Sequence, residues 1–354
     1  MASLGLLFIL ICLVAALSRG KNVREKIEQW KTWAISRLPH LPADPVTSSS
    51  PAEKTQKEEE NLRYALPPLQ PKTSSRTSMG LKRLEKSNWL TVDAHYTSEH
   101  QVRNYLLRTS HPNVIQCLPG SEAACHEVLS IAVDFLITRF PDQFTMEGES
   151  ITNHIANESF LVGPDCPNPL EVAARLAMED FNILMKNSET GEYHLQASAT
   201  LFPAGWKLQE RIGTTMVNLH GPVPSWKEKM GGAVNRYFDH LSAKTAMERT
   251  NLFIQSDPHL FSDAPEVPAG QEKKTIPQDL QVRRERQTFT RLEKTGAVLF
   301  TVRTYMQPVE ELGDEEAVAL IHQVGGWEEE IKVYKGWDVW GKAFEEWCEK
   351  RFGR

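Results

Sequence analysis

No two cysteines in this chain form a Cys-x-x-Cys pair, so zinc-ribbon, thioredoxin-like and clustered iron–sulfur spacings are excluded. The five cysteines, Cys12, Cys117, Cys125, Cys166 and Cys348, are scattered and odd in number. That reads poorly as a disulfide framework and favours a reducing compartment for the main domain. No Gly-x-Gly-x-x-Gly follows a strand-like run, and no Gly-x-x-x-x-Gly-Lys-Ser/Thr occurs, so dinucleotide-binding and P-loop readings are unsupported. Basic excess is missing too. Lys and Arg number 40 against 46 Asp and Glu, a net charge of −6, which argues against a nucleic-acid binder.

The one long apolar run lies at the start. Met1 to Ser18 carries no charge, and Leu4 to Leu17 is almost wholly apolar. It is short beside the ~20 residues that usually cross a bilayer. No Lys or Arg precedes it, whereas Arg19, Lys21, Arg24 and Lys26 follow, which places the rest of the chain on the cytosolic side. The expectation is therefore a membrane protein, with residues 1–19 as a single-pass anchor, the endoplasmic reticulum as the membrane and the main domain in the cytosol. The alternative is a cleaved signal peptide and a secreted protein. The sequon Asn157-Glu158-Ser159 does not by itself move the body into the lumen. Residues 20–78 read as a juxtamembrane segment, with an amphipathic helix over Glu25–Leu38, followed by a tether rich in Pro, Ser and charge from Pro39 to Ser78.

Strong periodicity begins after Met79, and residues 79–354 read as one working domain. Helical spacing runs from Ser121 to Phe140 and again over Leu170–Met185. Strand-like runs follow at Tyr193–Phe202, Thr214–Leu219, Arg249–Ile254, Gln281–Arg291 and Ala297–Tyr305. The last two are joined by the turn Glu293-Lys294-Thr295-Gly296. A helix is expected over Ser225–Leu241, and two more close the chain around Asp314–Gln323 and Trp337–Phe352. Helices, then mostly antiparallel strands, then helices make this an α+β fold.

Two clusters could carry chemistry. In the first, His220 ends a run and is followed by the rigid Gly221-Pro222-Val223-Pro224. A single histidine is more often a hydrogen-bonded core residue than a ligand. The second is Arg283-Arg284-Glu285-Arg286-Gln287, charged residues inside an otherwise apolar strand pattern, with Arg303 on the next strand. Such charges are costly unless paired or used on a ligand, and an exposed charged strand face is the plain alternative. Antiparallel pairing would bring Arg303 beside Glu285–Gln287 as an anion-binding or proton-relay patch.

Several motifs occur in order: Met79–Leu81, Asn88-Trp89-Leu90 with Asp93 and Tyr96, Met178–Met185, Phe202–Trp206, Ile212–Pro224, Arg249–Phe253 and Arg283–Pro308. Together they resemble the haem-dependent oxidative N-demethylase alpha-subunit-like family, also called the HRQ family, over roughly residues 79–308. The resemblance implies a PAS-like antiparallel sheet cupping haem b. It aligns His220 with the axial ligand to iron, Glu285, Arg286 and Gln287 with the catalytic distal side, and Arg303 with a propionate or the same network. Leu252 departs from the pattern, since relatives often carry Trp after the asparagine; this bears on the amine substrate more than on the haem.

The function so implied is a monooxygenase or oxidative demethylase. Its electrons would come from an external reductase, and its substrate would be a small-molecule amine or a secondary metabolite. A non-catalytic haem sensor is the alternative. No cysteine has the Gly-rich setting of a cytochrome P450, and no Asp-x-Asp supports a secretory-pathway glycosyltransferase.

Overall fold

The computed structural model describes residues 68–69, 80–267 and 273–353. Ten strands form within them: β1 (Lys82–Arg83), β2 (Ile115–Cys117), β3 (Phe144–Glu147), β4 (Ser150–Asn153), β5 (Glu158–Leu161), β6 (Asp180–Lys186), β7 (Tyr193–Ala199), β8 (Met247–Gln255), β9 (Gln281–Arg291) and β10 (Val298–Pro308). The helices are α1 (Tyr96–Thr109), α2 (His111–Val114), α3 (Glu122–Arg139), α4 (Pro169–Leu176), α5 (Met216–Leu219), α6 (Gly232–His240), α7 (Asp314–Gly325), α8 (Glu329–Tyr334) and α9 (Trp337–Phe352). Seven strands make an antiparallel sheet in the order β1-β8-β9-β10-β6-β7-β2, and β3-β4-β5 form a small second sheet. The expected α+β class is what the chain adopts.

The longest pairing is the β9–β10 hairpin, in register from Val298 opposite Arg291 to Pro308 opposite Gln281. Its turn works because Gly296 takes φ 72°, where a Cβ would be strained. The carboxylate of Glu127 on α3 accepts the backbone N–H groups of Lys294 and Thr295 at 2.7 and 2.8 Å. Alternate side chains on each strand then point to opposite faces. Phe181, Ile183 and Leu299 pack with α1, α3 and α4 in the largest apolar cluster. Leu184, Leu195, Phe289 and Val298 face the other way, against Met216, Val234 and Phe238. A third cluster joins Leu252, Ile254 and Val282 to α7 and α9.

Three sequence expectations need correction. The helix expected over Leu170–Met185 ends at Leu176, and Asp180–Lys186 is β6. That strand lies inside the sheet with every residue from Asp180 to Leu184 buried, so its burial does not alternate and the run through Met185 mimics a buried helix. The strand expected over Thr214–Leu219 is instead the short helix α5. The Thr215 hydroxyl accepts from the Asn218 N–H and caps it. The third correction concerns location. No helix among the described residues is long and apolar enough to cross a membrane, and the expected anchor and tether lie outside those residues apart from Pro68 and Leu69. The membrane localisation is therefore not carried forward.

The C-terminal helices add a core of their own, in which Phe344 is fully buried against Trp337, Trp340 and Trp347. Phe344→Ala should lower the unfolding free energy by about 3–5 kcal/mol, read as a reduced urea midpoint with an unchanged slope.

Candidate functional site

His220 stands immediately after α5, where the chain turns through Gly221-Pro222-Val223-Pro224 into a π turn at Lys227–Gly231. Ser225 holds a left-handed φ of 54° in this turn, a conformation that costs a side-chain-bearing residue energy and fixes the direction of the chain. The imidazole stacks on Trp226, with ring centroids 4.4 Å apart and planes 5° from parallel. Its Nδ1 lies 2.9 Å from the Met216 carbonyl oxygen, to which it donates. Nε2 has no hydrogen-bond partner among the described residues. Burial and the nearby guanidinium groups of Arg249 and Arg211 push the pKa of His220 down to about 4, although the Met216 contact opposes this. The ring is thus neutral, with its proton on Nδ1 and a free lone pair on Nε2. A metal-binding histidine characteristically has this arrangement, one nitrogen fixed by a carbonyl and the other open.

The charged run on β9 divides between the two faces of the sheet. Glu285 and Gln287 point to the Phe289 face, on which β8 places Asn251 opposite Glu285 and Arg249 opposite Gln287. Arg249 Nε donates to Gln287 Oε1 at 2.7 Å, and Gln287 Nε2 donates to Glu285 Oε2 at 2.9 Å. Asn251 Nδ2 approaches the same carboxylate oxygen at 3.4 Å, and Lys335 Nζ donates to Asn251 Oδ1 at 3.2 Å. The row Arg249–Gln287–Glu285–Asn251–Lys335 is continuous, and its first member is one of the two cations felt by His220.

Arg286 and Arg303 point to the opposite face, directly across from each other in the β9–β10 register. Arg286 Nε pairs with Glu248 at 2.8 Å, and its terminal nitrogens donate to the carbonyls of Trp89 and Asn88. Arg303 pairs with Glu99 at 2.8 Å and with Asp93 at 2.9 Å. Glu179 lies in the same buried region, and desolvation raises its pKa to about 6 despite these arginines. The structure therefore brings His220, Glu285 and Gln287 to one side of the sheet, and places Arg286 and Arg303 on the other.

Arg249, Asn251 and Trp226 received no role in the sequence reading. Arg249 and Asn251 do lie in the Arg249–Phe253 motif, but a strand register was needed to set them opposite Gln287 and Glu285. Among the other histidines, His194 is closest to a rival ligand. Its Nδ1 contacts the Gly213 carbonyl at 3.0 Å, and its Nε2 is buried without a partner among the described residues. His240 is bonded to the Arg236 carbonyl, and His259 to Asp257. No cluster of three metal-ligating side chains occurs among the described residues.

Apolar and aromatic side chains gather around the turn that carries His220. Trp206, Ile212, Leu219, Trp226, Met230 and Phe300 are only partly buried, and all pack on the cluster formed by Met216, Phe238 and Phe289. A neutral imidazole with an open nitrogen, beside partly exposed aromatic side chains, is a donor of the kind that can take a metal-bearing cofactor. The model of the family described as haem-dependent oxidative N-demethylase, alpha subunit-like, matches residues 80–345, and the chain belongs to that family. The family name implies haem dependence and an oxidative demethylase type of chemistry.

Two outcomes follow from this geometry. Arg303→Leu leaves the buried Glu99 and the half-buried Asp93 without their cation and should cost about 3–5 kcal/mol of stability in a urea melt. The His220 shift has a defined sign. A folded pKa below the unfolded value of 6.5 contributes stability that is fully present above pH 6.5 and is lost as pH falls toward 4. His220→Gln should therefore flatten this part of the stability–pH curve by up to about 3 kcal/mol, read as the difference from the unsubstituted protein.

Proposed function

We propose that this protein is a haem-dependent monooxygenase of the oxidative demethylase type. In this reading His220 Nε2 would hold the iron of haem b on the Phe289 face of a PAS-like sheet. The observation that carries it is the divided imidazole of His220, with Nδ1 fixed on Met216 and Nε2 open. When bound, the haem supplies the redox chemistry that activates dioxygen for oxidation of a C–H or N-methyl group.

The chain's own groups supply position and charge. The Met216 carbonyl fixes the imidazole tautomer, and Trp226 fixes its plane. Glu285, held by the amide of Gln287 with Asn251 alongside and with Arg283 Nε 3.6 Å from its Oε1, offers a carboxylate whose Oε2 side can meet a cationic amine. Arg249 orients Gln287 and adds to the burial that keeps His220 neutral. Arg286 and Arg303 act by holding the strands that present these groups. The substrate is a small amine or a secondary metabolite. Electrons come from a separate reductase, because the sequence carries no flavin, nicotinamide or iron–sulfur motif.

The purified full chain, expressed with adequate haem supply, should show a Soret band that His220→Ala abolishes or shifts. Glu285→Gln should keep the band and lower turnover with added reductase by about 10²-fold. No band in the unsubstituted protein would sink the proposal. An unchanged spectrum in His220→Ala would move the ligand to another residue, with His194 the first to test.

A further inference from the structure

Two thiols away from this site lie against each other. Cys117 ends β2, the three-residue edge strand of the large sheet, and Cys125 sits in the second turn of α3. Their sulfurs are 3.9 Å apart. The segment between them is closely constrained. The Leu118 N–H donates to the Gln196 carbonyl at 2.9 Å, the Ser121 N–H donates back to the Leu118 carbonyl, and Gly120 turns the chain at φ 90°. Cys117 is exposed and Cys125 is buried, and neither is in a disulfide. Cys166 and Cys348 are each buried at other places in the fold, so of the four described cysteines only these two form a pair.

The pair is chemically asymmetric. Contact with Cys125 lowers the pKa of the Cys117 thiol, while the same contact and burial raise that of Cys125. An accessible, more acidic thiol beside a shielded one is the usual disposition of an attacking and a resolving cysteine. Sulfurs must come within about 2.05 Å to bond, so an approach of about 2 Å is required. The exposed side chain at the end of a short edge strand can supply that motion at little cost in packing.

We propose that Cys117 and Cys125 form a redox-modification site that a peroxide-class oxidant converts into a reversible disulfide. The Cys117 thiolate attacks one peroxide oxygen, the O–O bond breaks, and hydroxide leaves to take up the proton released from the thiol. Cys117 is then a sulfenic acid. The Cys125 sulfur attacks Cys117 Sγ, the S–S bond forms, and the sulfenic hydroxyl leaves with the Cys125 proton as water. Two thiols lose two electrons in total, and one peroxide is reduced to two waters. The proposal is independent of the haem assignment.

The test is peptide mapping of the reduced full chain after hydrogen peroxide treatment, denaturation and capping of free thiols with N-ethylmaleimide. A Cys117–Cys125 cross-link should dominate and disappear with dithiothreitol, while Cys166 and Cys348 stay alkylated. Cys125→Ser should accumulate a dimedone-reactive sulfenic acid at Cys117. Cys117→Ser, at an exposed position, should leave Cys125 fully alkylated even if the Cys125 variant fails to fold. Cys117 and Cys125 both alkylated after treatment would overturn the proposal. So would Cys117 oxidised to sulfinate beside a free Cys125, or Cys125 oxidised in Cys117→Ser.

Discussion

The in-register pairing of β9 with β10 decides which face of the sheet each charged side chain meets, and the rest of the structure is arranged around that constraint. Arg283 and Arg286 from β9, Arg303 from β10 and Arg103 from α1 are each no more than 1% exposed. A guanidinium withdrawn from water this completely must find carboxylates or carbonyls, or the fold loses several kcal/mol per ion. The partners come from distant parts of the chain. Arg303 takes Glu99 and Asp93, Arg286 takes Glu248 and the Asn88 and Trp89 carbonyls, and Arg103 takes Asp180.

These pairings position loops as well as neutralise charge. Asp180 accepts from Arg103 and also from the backbone N–H groups of Leu201 and Phe202. Arg283 donates to the carbonyls of Phe202 and Leu260. The Phe202–Trp206 segment is thereby clamped from both β6 and β9, which sets Trp206 against the apolar cluster near His220. In the same way, Arg286 holds the Asn88–Trp89 turn under the sheet. Motifs far apart in sequence thus meet at one set of buried arginines, which gives their shared order in the chain a physical basis.

Much of this was legible before any coordinates. Gln281–Arg291 was readable as a strand to the residue, because Gly296 marks the turn and the neighbouring run is rich in Val, Phe and Thr. Trp337–Phe352 was equally clear from its helical spacing. β6 was not, because Ile183-Leu184-Met185 runs on without alternation and Asp180 and Asn182 are buried like their apolar neighbours. α1 was missed because the polar face of Tyr96–Thr109 includes Glu99 and Arg103, which are buried in ion pairs and so break the amphipathic pattern. The candidate residues were legible in kind but not in direction. The polar and charged side chains at 285, 286, 287 and 303 are visible in sequence, yet a two-residue period sends neighbours to opposite faces, and only the register shows which lie on His220's side.

That division has an electrostatic consequence. On the Arg286–Arg303 face, desolvation raises Glu179 to about 6 even beside arginines, so burial outweighs attraction there. On the other face, desolvation is again the larger effect, and the cations Arg249 and Arg211 act with it, so His220 falls to about 4. Burial disfavours a charged histidine, and nearby positive charge disfavours it further; the two effects add where at Glu179 they oppose. Arg249 therefore does more than orient Gln287. Its charge helps keep a lone pair on His220 Nε2 throughout the physiological range, and the Met216 carbonyl determines that the free nitrogen is this one. A lysine could supply the charge and a donor, but not the planar guanidinium that lies over the Phe289 ring while its Nε donates to Gln287.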